Sequence, residues 1–343
     1  MNLLRDYQKK AIKDIRYHFQ RGKRKILLVA PTGSGKTIIA CSMIEGAKKN
    51  HNFSLFMAHR RELVMQCSNK LSSFECPHGI LMAGKAHRST RDNAKKLLEQ
   101  YPEAYVIGLT ATPIRSDGKG LGNVYEELVE AGSIKELTDQ GYLVKNKIVA
   151  PSIPDLQKVR VIAGDYDKKQ LENKMNKPKL VGTSIKHSKY ICNIFNHNGI
   201  PAGHIDGEMP ELEREQVLQK LQDDEIKVLS NCMVLTEGWD QPKVSCVIIA
   251  RPTKSYSMYL QMIGRTLRPY PNKEDTLIID HSGCVYEHGF PEDVPQWSLT
   301  TTSKKEKEKI TKEKVEKQPL TCTQCHAVYK PTRDDASCPN CSH

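Results

Sequence analysis

The amino-acid sequence predicts an α/β protein with two parallel-sheet domains and a small cysteine-rich appendage. Three observations lead to this prediction. The chain has 343 residues, which is enough for two domains and a short extra module. Apolar runs of strand length recur along it and alternate with amphipathic stretches of helical spacing. Four of the eleven cysteines lie within the last 24 residues.

The charge of the chain favours a nucleic-acid partner, and its hydropathy argues against a membrane protein. The formal net charge is +12 and the pI is about 9.1, a balance that favours a polyanionic partner such as nucleic acid. The sequence contains no apolar run of 18 residues and no signal-peptide core, so we expect a cytoplasmic protein without a membrane span. In a reducing compartment the scattered cysteines are expected to be core residues, and the clustered ones metal ligands.

The stretch from Ala30 to Thr37 organises the first domain. It follows the apolar run Ile26–Val29, a predicted buried strand, and precedes Ile38–Ile44, a predicted helix. A strand, a glycine-rich turn and a helix in this order predict a loop that binds the phosphates of ATP, although this loop opens with Ala30 where the general pattern has glycine. Its predicted binding residues are Pro31, Thr32, Gly33, Ser34, Gly35, Lys36 and Thr37, of which Lys36 would neutralise phosphate and Thr37 would hold Mg²⁺.

Other elements surround this loop in the first half of the chain. Leu4–Ile12 begins an amphipathic helix that puts Arg5 and Gln8 on one face. Phe53–Ala58 is a predicted strand that runs into the basic residues 59–61, and Tyr105–Leu109 is a predicted buried strand. Ser133 begins a predicted helix to residue 143 with a capping box, and an extended segment follows.

The second half repeats the alternation of strands and helices. Strands are predicted over 226–230, 244–250 and 276–281, and a charged helix over 211–221. The segment 234–242 reads Val-Leu-Thr-Glu-Gly-Trp-Asp-Gln-Pro, and the segment 259–269 carries Arg265 and Arg268. Their spacing of three predicts that both arginines point from one helix face.

Taken in order, these stretches resemble motifs Q, phosphate loop, Ia, III, V and VI of superfamily-two, DEAD/DEAH-type helicases of the phage and bacterial DNA-repair kind. The resemblance covers residues 4–269. It implies two RecA-like domains with ATP between them and nucleic acid across both, with DNA favoured over RNA but the choice left open. We expect an ATP-binding domain over 1–150, a helicase C-terminal domain over 151–300, a charged linker over 301–319 and a zinc ribbon over 320–343. The sequence leaves the oligomeric state open.

The resemblance also implies roles for individual residues. Lys36, Arg265 and Arg268 would be catalytic, the two arginines by stabilising charge on the transferred phosphoryl group. Further ATP contacts would come from Arg5, Gln8, Gly238 and Asp240. Nucleic-acid contacts would come from His59, Arg60, Arg61 and Thr236, and coupling between the sites from His87, Thr110, Thr112 and Gln261.

One expected feature is missing from the sequence. Where the family has Asp-Glu-Ala-His, this chain reads Gly84-Lys85-Ala86-His87, so the two carboxylates that hold Mg²⁺ and orient water are absent. Only 19 residues separate Gln66 from Ala86, too few for the strands and helix that belong there, so we infer an internal deletion. A second deletion is inferred before Thr183, because the strand that should open the second domain is absent.

Two functions therefore follow from the sequence. The first is an ATP-dependent helicase or translocase. The alternative is a catalytically impaired remnant that binds ATP and nucleic acid. A restriction-type translocating subunit shares these motifs, but no nuclease carboxylate cluster is evident in the sequence, so it ranks below both. The absence of the Asp-Glu pair has a second explanation besides a deletion. The loop could differ naturally from the family pattern, with the catalytic acids supplied from elsewhere in the chain.

The C-terminal cysteines form two Cys-x-x-Cys pairs separated by 12 residues, Cys322 with Cys325 and Cys338 with Cys341. This spacing is typical of tetrahedral thiolate ligation of Zn²⁺. Four thiolates complete the coordination shell, so the metal is predicted to be structural. His326 and His343 are lesser ligand candidates.

Overall fold

The structure is a computed structural model that describes residues 4–58, 60–81, 96, 98–113, 120–156, 159–162, 164–167, 170–171, 184–232, 234–235, 239, 241–293, 297–300, 319–331 and 337–343. The chain forms two compact units. Unit 1 comprises Met1–Arg115, Lys119–Leu143 and Val294–Thr302, and unit 2 comprises Ser116–Gly118, Val144–Asp293 and Ser303–His343. The domain limits given above stay predictions.

Unit 1 is a three-stranded parallel sheet with helices. Its elements are α1 (Asp6–Gln20), β1 (Lys25–Val29), α2 (Lys36–Lys49), α3 (Arg61–Ser73), β2 (Val106–Thr110), β3 (Glu127–Glu130) and α4 (Ile134–Asp139). The strand order is β2–β1–β3, and both pairings are parallel. The central strand β1 is the apolar run of the prediction, and its residues 26–29 are all buried because both neighbours and the helices cover them.

The predicted strand over Phe53–Ala58 is wrong. Residues 52–58 have no regular secondary structure, Phe53 is fully exposed, and the Leu55 side chain is 65% exposed. A parallel strand forms only beside a partner, and within the described residues the sheet ends at β2 on one side and at β3 on the other. The predicted helix from Ser133 is shorter than expected, since it ends at Asp139 before Gly141, whose φ is 73°.

Unit 2 holds the remaining elements. They are β4 (Lys145–Val149), β5 (Val161–Ile162), β6 (Asp165–Tyr166), α5 (Ile185–His197), β7 (Ala202–Ile205), α6 (Glu211–Gln222), β8 (Val228–Asn231), β9 (Cys246–Ile249), α7 (Tyr256–Ile263), β10 (Asp275–Asp280), α8 (Cys284–His288), β11 (Leu320–Thr321) and β12 (Val328–Tyr329). Strands β4–β10–β9 form one parallel sheet and β7–β8 a second, while β5–β6 and β11–β12 are antiparallel pairs. The α/β class with parallel sheets is confirmed.

The scattered cysteines are mostly core residues, as expected. Five of the seven are buried, and they are Cys41, Cys67, Cys76, Cys192 and Cys284. Cys246 is the exposed exception. Among the described residues, no helix has the length and apolar character that crossing a bilayer requires.

Candidate functional site

The glycine-rich loop connects the central strand to a helix, as the sequence predicts. Strand β1 ends at Val29 and α2 begins at Lys36, with Gly35 as its N-cap residue. Gly33 and Gly35 have φ values of 91° and 81°, which side chains rarely adopt. The first-turn N–H groups of a helix lack intrahelical acceptors, so the start of α2 offers donors to an anion.

The side chains of the loop make local contacts. The Lys36 ammonium donates to the carbonyl oxygens of Ala30 at 2.8 Å and Pro31 at 3.0 Å. The Ser34 hydroxyl donates to the Pro31 carbonyl at 2.7 Å. Thr37 lies one residue after Lys36, and its hydroxyl reaches the Gln66 side chain of α3 at 3.4 Å. Lys36, the predicted phosphate-binding residue, and Thr37, the predicted Mg²⁺ ligand, therefore lie side by side at the start of α2.

The beginning of α1 is anchored to this loop. The Gln8 amide donates to the Ser34 carbonyl at 2.9 Å, and its oxygen accepts from the Arg5 backbone N–H at 3.0 Å. The same Ser34 carbonyl accepts from the Tyr7 hydroxyl at 2.6 Å. Gln8 is 2% exposed and Ser34 is 1% exposed, so this carbonyl depends on these two donors.

Tyr7 is a site residue that sequence reasoning missed. Its ring lies 4.9 Å from that of Tyr142, centroid to centroid, and the Arg5 guanidinium lies 5.2 Å from the Tyr142 centroid. Burial raises the pKa of Tyr7, so its hydroxyl stays a neutral donor. Its position next to Gln8 in the sequence is the feature that could have marked Tyr7 as a candidate.

Thr110 is the last residue of β2, and Thr112 lies in the turn that follows it. The Ala30 backbone N–H donates to the Thr110 carbonyl at 2.9 Å. The Thr110 hydroxyl donates to the Thr112 carbonyl at 2.7 Å and accepts from the Thr112 N–H at 3.1 Å. This turn therefore connects directly to the residue that opens the loop. The coupling role of the two threonines stays a prediction.

An acidic residue also lies at the carboxyl edge of this sheet. Glu130 is the last residue of β3 and pairs in register with Val29, the last residue of β1. The Ala131 N–H donates to the Val29 carbonyl at 2.9 Å, which keeps the two strand ends together. The Glu130 side chain is exposed, and partial desolvation together with the nearby Glu136 raises the pKa of its carboxyl. Sequence reasoning overlooked Glu130 because no motif marks it.

The predicted nucleic-acid residues are only partly described. Arg60 is the N-cap residue of α3 and Arg61 is its first residue, so the basic pair opens a helix. His59, His87, Thr236, Gly238 and Asp240 lie outside the described residues, as do the segment Gly84–His87 and the residue Thr183.

The prediction that Arg265 and Arg268 share a helix face is wrong. Helix α7 ends at Ile263, and Gly264 is its C-cap residue, so both arginines lie in the following turn. The Arg265 guanidinium donates to the Trp239 carbonyl at 2.5 Å. Gln261 remains within α7, and its amide reaches the Ser257 hydroxyl at 3.5 Å.

A lysine that the sequence did not mark holds this turn in place. The Lys273 ammonium donates to four backbone carbonyls, those of Pro242 at 3.0 Å, Val244 at 2.6 Å, Thr266 at 2.6 Å and Arg268 at 2.9 Å. Burial, assisted by the charge of Arg268, lowers the pKa of Lys273 to about 8. Two loops that are distant in sequence thus share one cation.

The four C-terminal cysteines converge. Their sulfur atoms all lie within 4.8 Å of one another. Cys322 and Cys341 are 3.5 Å apart, and Cys325 and Cys338 are 3.6 Å apart. Tetrahedral zinc with Zn–S bonds of about 2.3 Å separates its sulfurs by about 3.8 Å, so the cluster fits such a metal. The ring of His343 contacts the Thr323 hydroxyl, and neither His326 nor His343 belongs to the four-residue cluster found in the described part of the chain.

Two family models match the chain. Residues 2–78 match the model described as type III restriction enzyme, res subunit, and residues 157–270 match the helicase conserved C-terminal domain. The first match contains the phosphate loop and the second contains the turn with Arg265 and Arg268.

Individual proteins are also similar. The Saccharomyces cerevisiae protein named "Putative ATP-dependent helicase IRC3" is 28% identical over 356 aligned positions, covering 82% of this chain and 52% of the yeast protein. A 51.5 kDa protein of a Lactococcus phage is 28% identical, covering 79% of this chain and 68% of the phage protein. This chain thus spans about half of the yeast relative. Since 82% of 343 residues is about 281, about 75 of the 356 aligned positions have no residue of this chain opposite them.

A solved structure supports the fold. It is described as the fragment structure of a "putative HsdR subunit" of a type I restriction enzyme from Vibrio vulnificus YJ016. Its TM-score is 0.59 at 18% identity, with 85% of this chain and 68% of that chain covered. The two family models, the named relatives and the order of the motifs all fit one family, the superfamily-two helicases.

Proposed function

We propose that this protein is an ATP-dependent DNA helicase or translocase that holds ATP at the loop from Ala30 to Thr37. The observation that carries the proposal is the placement of Lys36 and Thr37 at the start of α2, directly after the central strand. In a chain that contains the helicase conserved C-terminal domain, this loop is the natural site for the nucleotide.

Different residues of unit 1 would bind different parts of MgATP. Lys36 would exchange its two loop carbonyls for phosphate oxygens, and the Thr37 hydroxyl would hold Mg²⁺. Gln8 and Arg5 would read the adenine, while Tyr7 keeps the Ser34 carbonyl, and with it the loop, in a fixed position. Bound MgATP supplies the phosphoryl group whose transfer to water drives movement.

Unit 2 would contribute the positive charge that the transferred phosphoryl group requires. Arg265 and Arg268 are the proposed arginines, and Lys273 is the proposed positioning residue for their turn. Thr236, Gly238 and Asp240 keep the roles proposed from the resemblance.

The carboxylates of the reaction need a source in this chain. Gly84 and Lys85 stand where the Asp-Glu pair is expected, and the alignment with the yeast relative has gaps of about 75 positions on the side of this chain. We propose Glu130 as the acid that orients water, since it ends the strand beside β1, at the edge of the sheet where the phosphate loop begins.

DNA is the proposed nucleic acid. The net charge of +12 supports a polyanion, and the match to a restriction-enzyme subunit model favours DNA over RNA. Contacts from Arg60, Arg61 and Thr236 to backbone phosphates would make binding sensitive to salt and largely independent of sequence.

Zn²⁺ is the proposed occupant of the four-cysteine cluster. The donor set consists of thiolates alone and the sulfur separations match a tetrahedral shell, so the metal would be structural.

The test is phosphate release from ATP with and without DNA, in the wild type and in Lys36→Ala. We expect DNA to raise the rate of phosphate release by the wild type at least about tenfold, and we expect the Lys36→Ala variant to release no phosphate. Lys49→Ala is the matched control, because Lys49 lies at the end of the same helix, is exposed and pairs only with Glu45 among the contacts described. Equal rates in the wild type and Lys36→Ala would remove the enzymatic function and leave the binding remnant. Stimulation by RNA but not by DNA would overturn the choice of nucleic acid.

A further inference from the structure

The cysteine module packs against the edge of a sheet in unit 2. Strand β4 pairs with β10 on one side only, and its other side meets the module. Val149 and Ala327 form an antiparallel bridge, and the Ala150 N–H donates to the His326 carbonyl at 2.9 Å. An edge strand with unpaired backbone groups is a site of instability and aggregation, so this cover matters.

The contact surface is apolar. Ala150, Ala327 and Val328 are 4%, 9% and 7% exposed, respectively. Cys322 and Cys338 are buried immediately behind them, so the metal ligands and the docking surface form one continuous packing unit.

Polar contacts fasten the module at two further points. The Tyr286 hydroxyl of α8 hydrogen-bonds the Thr321 hydroxyl of β11. The Lys330 ammonium pairs with Asp293 and lies 5.2 Å from the centroid of the Phe290 ring. Both contacts join the module to the body of unit 2.

We expect the module to hold this shape only when a metal is bound. Residues 319–343 are too few to bury a core of their own, and metal binding supplies the folding free energy of such small modules. Loss of the metal would therefore release the bridge at Val149 and expose the edge of β4.

We propose that the four-cysteine module is a metal-dependent clasp that closes the free edge of β4 and stabilises unit 2. This inference rests on the proposed zinc site and adds a role to it. Whether a metal is bound to the four cysteines would then determine the stability of unit 2. The cysteines themselves lie outside residues 157–270, which match the model of the helicase conserved C-terminal domain.

The experiment combines zinc content with hydrogen exchange in the full chain. The variant is Cys338→Ser with Cys341→Ser, and the control is Cys246→Ser, an exposed cysteine on β9 at the opposite edge of the same sheet. We expect one zinc per chain in the wild type and the control, and none in the double variant. Amide exchange in the peptide covering 145–152 should rise at least about tenfold in the double variant, while β7 and β8, in the separate sheet, serve as internal reference.

A second variant keeps the proposal testable if the serine pair unfolds unit 2. Tyr286→Phe with Lys330→Ala leaves all four thiolates in place and removes both fastening contacts. Zinc should be retained while exchange over 145–152 rises. Unchanged exchange in a zinc-free double variant, or in this docking variant, would overturn the clasp and leave the zinc site intact. A wild-type chain that binds no zinc would overturn the site and the clasp together, and neither result bears on phosphate release.

Discussion

Replacing Lys273 by methionine probes the support of the arginine turn. The ammonium has three N–H groups and lies 2.6–3.0 Å from four carbonyl oxygens. A hydrogen bond from a charged donor contributes about 1.5–3 kcal/mol, so three of them set a gross upper limit of about 4.5–9 kcal/mol. The lowered pKa shows that burial opposes the charge, and water can replace part of the lost bonding because the side chain is only half-buried. We therefore expect a net loss of about 2–4 kcal/mol in the free energy of unfolding of unit 2.

The assay is thermal or urea unfolding followed by a probe within unit 2, together with DNA-stimulated phosphate release. Lys243→Met is the matched control, since Lys243 lies between Pro242 and Val244, two of the residues that accept from Lys273, but its own ammonium pairs with Asp224 at the surface. The control should leave the unfolding midpoint unchanged. Lys273→Met should also lower kcat more than it raises the KM for ATP, because the turn that carries Arg268 loses its support. A midpoint that matches the control would refute the view that Lys273 holds the turn.

Three further predictions follow from the structure. Tyr7→Phe should raise the KM for ATP about threefold to tenfold with little change in kcat, because Ser34 loses one of its two donors; an unchanged KM would contradict this. Glu130→Gln should abolish phosphate release while leaving binding of a fluorescent ATP analogue intact, and full activity of this variant would exclude Glu130 as the water-orienting acid. The hydrogen bond from His204 lowers the pKa of the Asp206 carboxyl in the folded protein. The ionised carboxylate therefore stabilises the fold at pH values above its ordinary pKa of about 3.9, and this stabilisation is lost as the pH falls through the pKa of the folded state. Acid unfolding curves should therefore be less steep for Asp206→Asn than for the wild type, and identical curves would count against this contribution.

The phosphate loop was predictable because its signals are local. An apolar run of strand length, two glycines at positions of positive φ and a helix start all lie within the chain from Ile26 to Ile44. The capping box at Ser133 and Glu136 was predictable for the same reason, since its two hydrogen bonds join residues three apart.

What the sequence did not predict depends on partners that are distant in the chain. The run Phe53–Ala58 has the composition of a strand, but among the described residues nothing pairs with it. Tyr7 and Lys273 act through backbone carbonyls 27 residues away and up to 31 residues away, respectively, and no spacing rule marks such contacts. Helix α7 ends at Ile263, so Arg265 and Arg268 lie in the turn that follows it.

The most direct test of the central claim is ATP-driven movement along DNA. A triplex-forming oligonucleotide bound to duplex DNA reports translocation when the protein displaces it. We predict displacement by the wild type with MgATP, none with a nonhydrolysable analogue, and none by Lys36→Ala in either condition. Wild-type protein that binds the duplex and hydrolyses ATP but leaves the third strand in place, or displacement that continues in Lys36→Ala, would contradict the account.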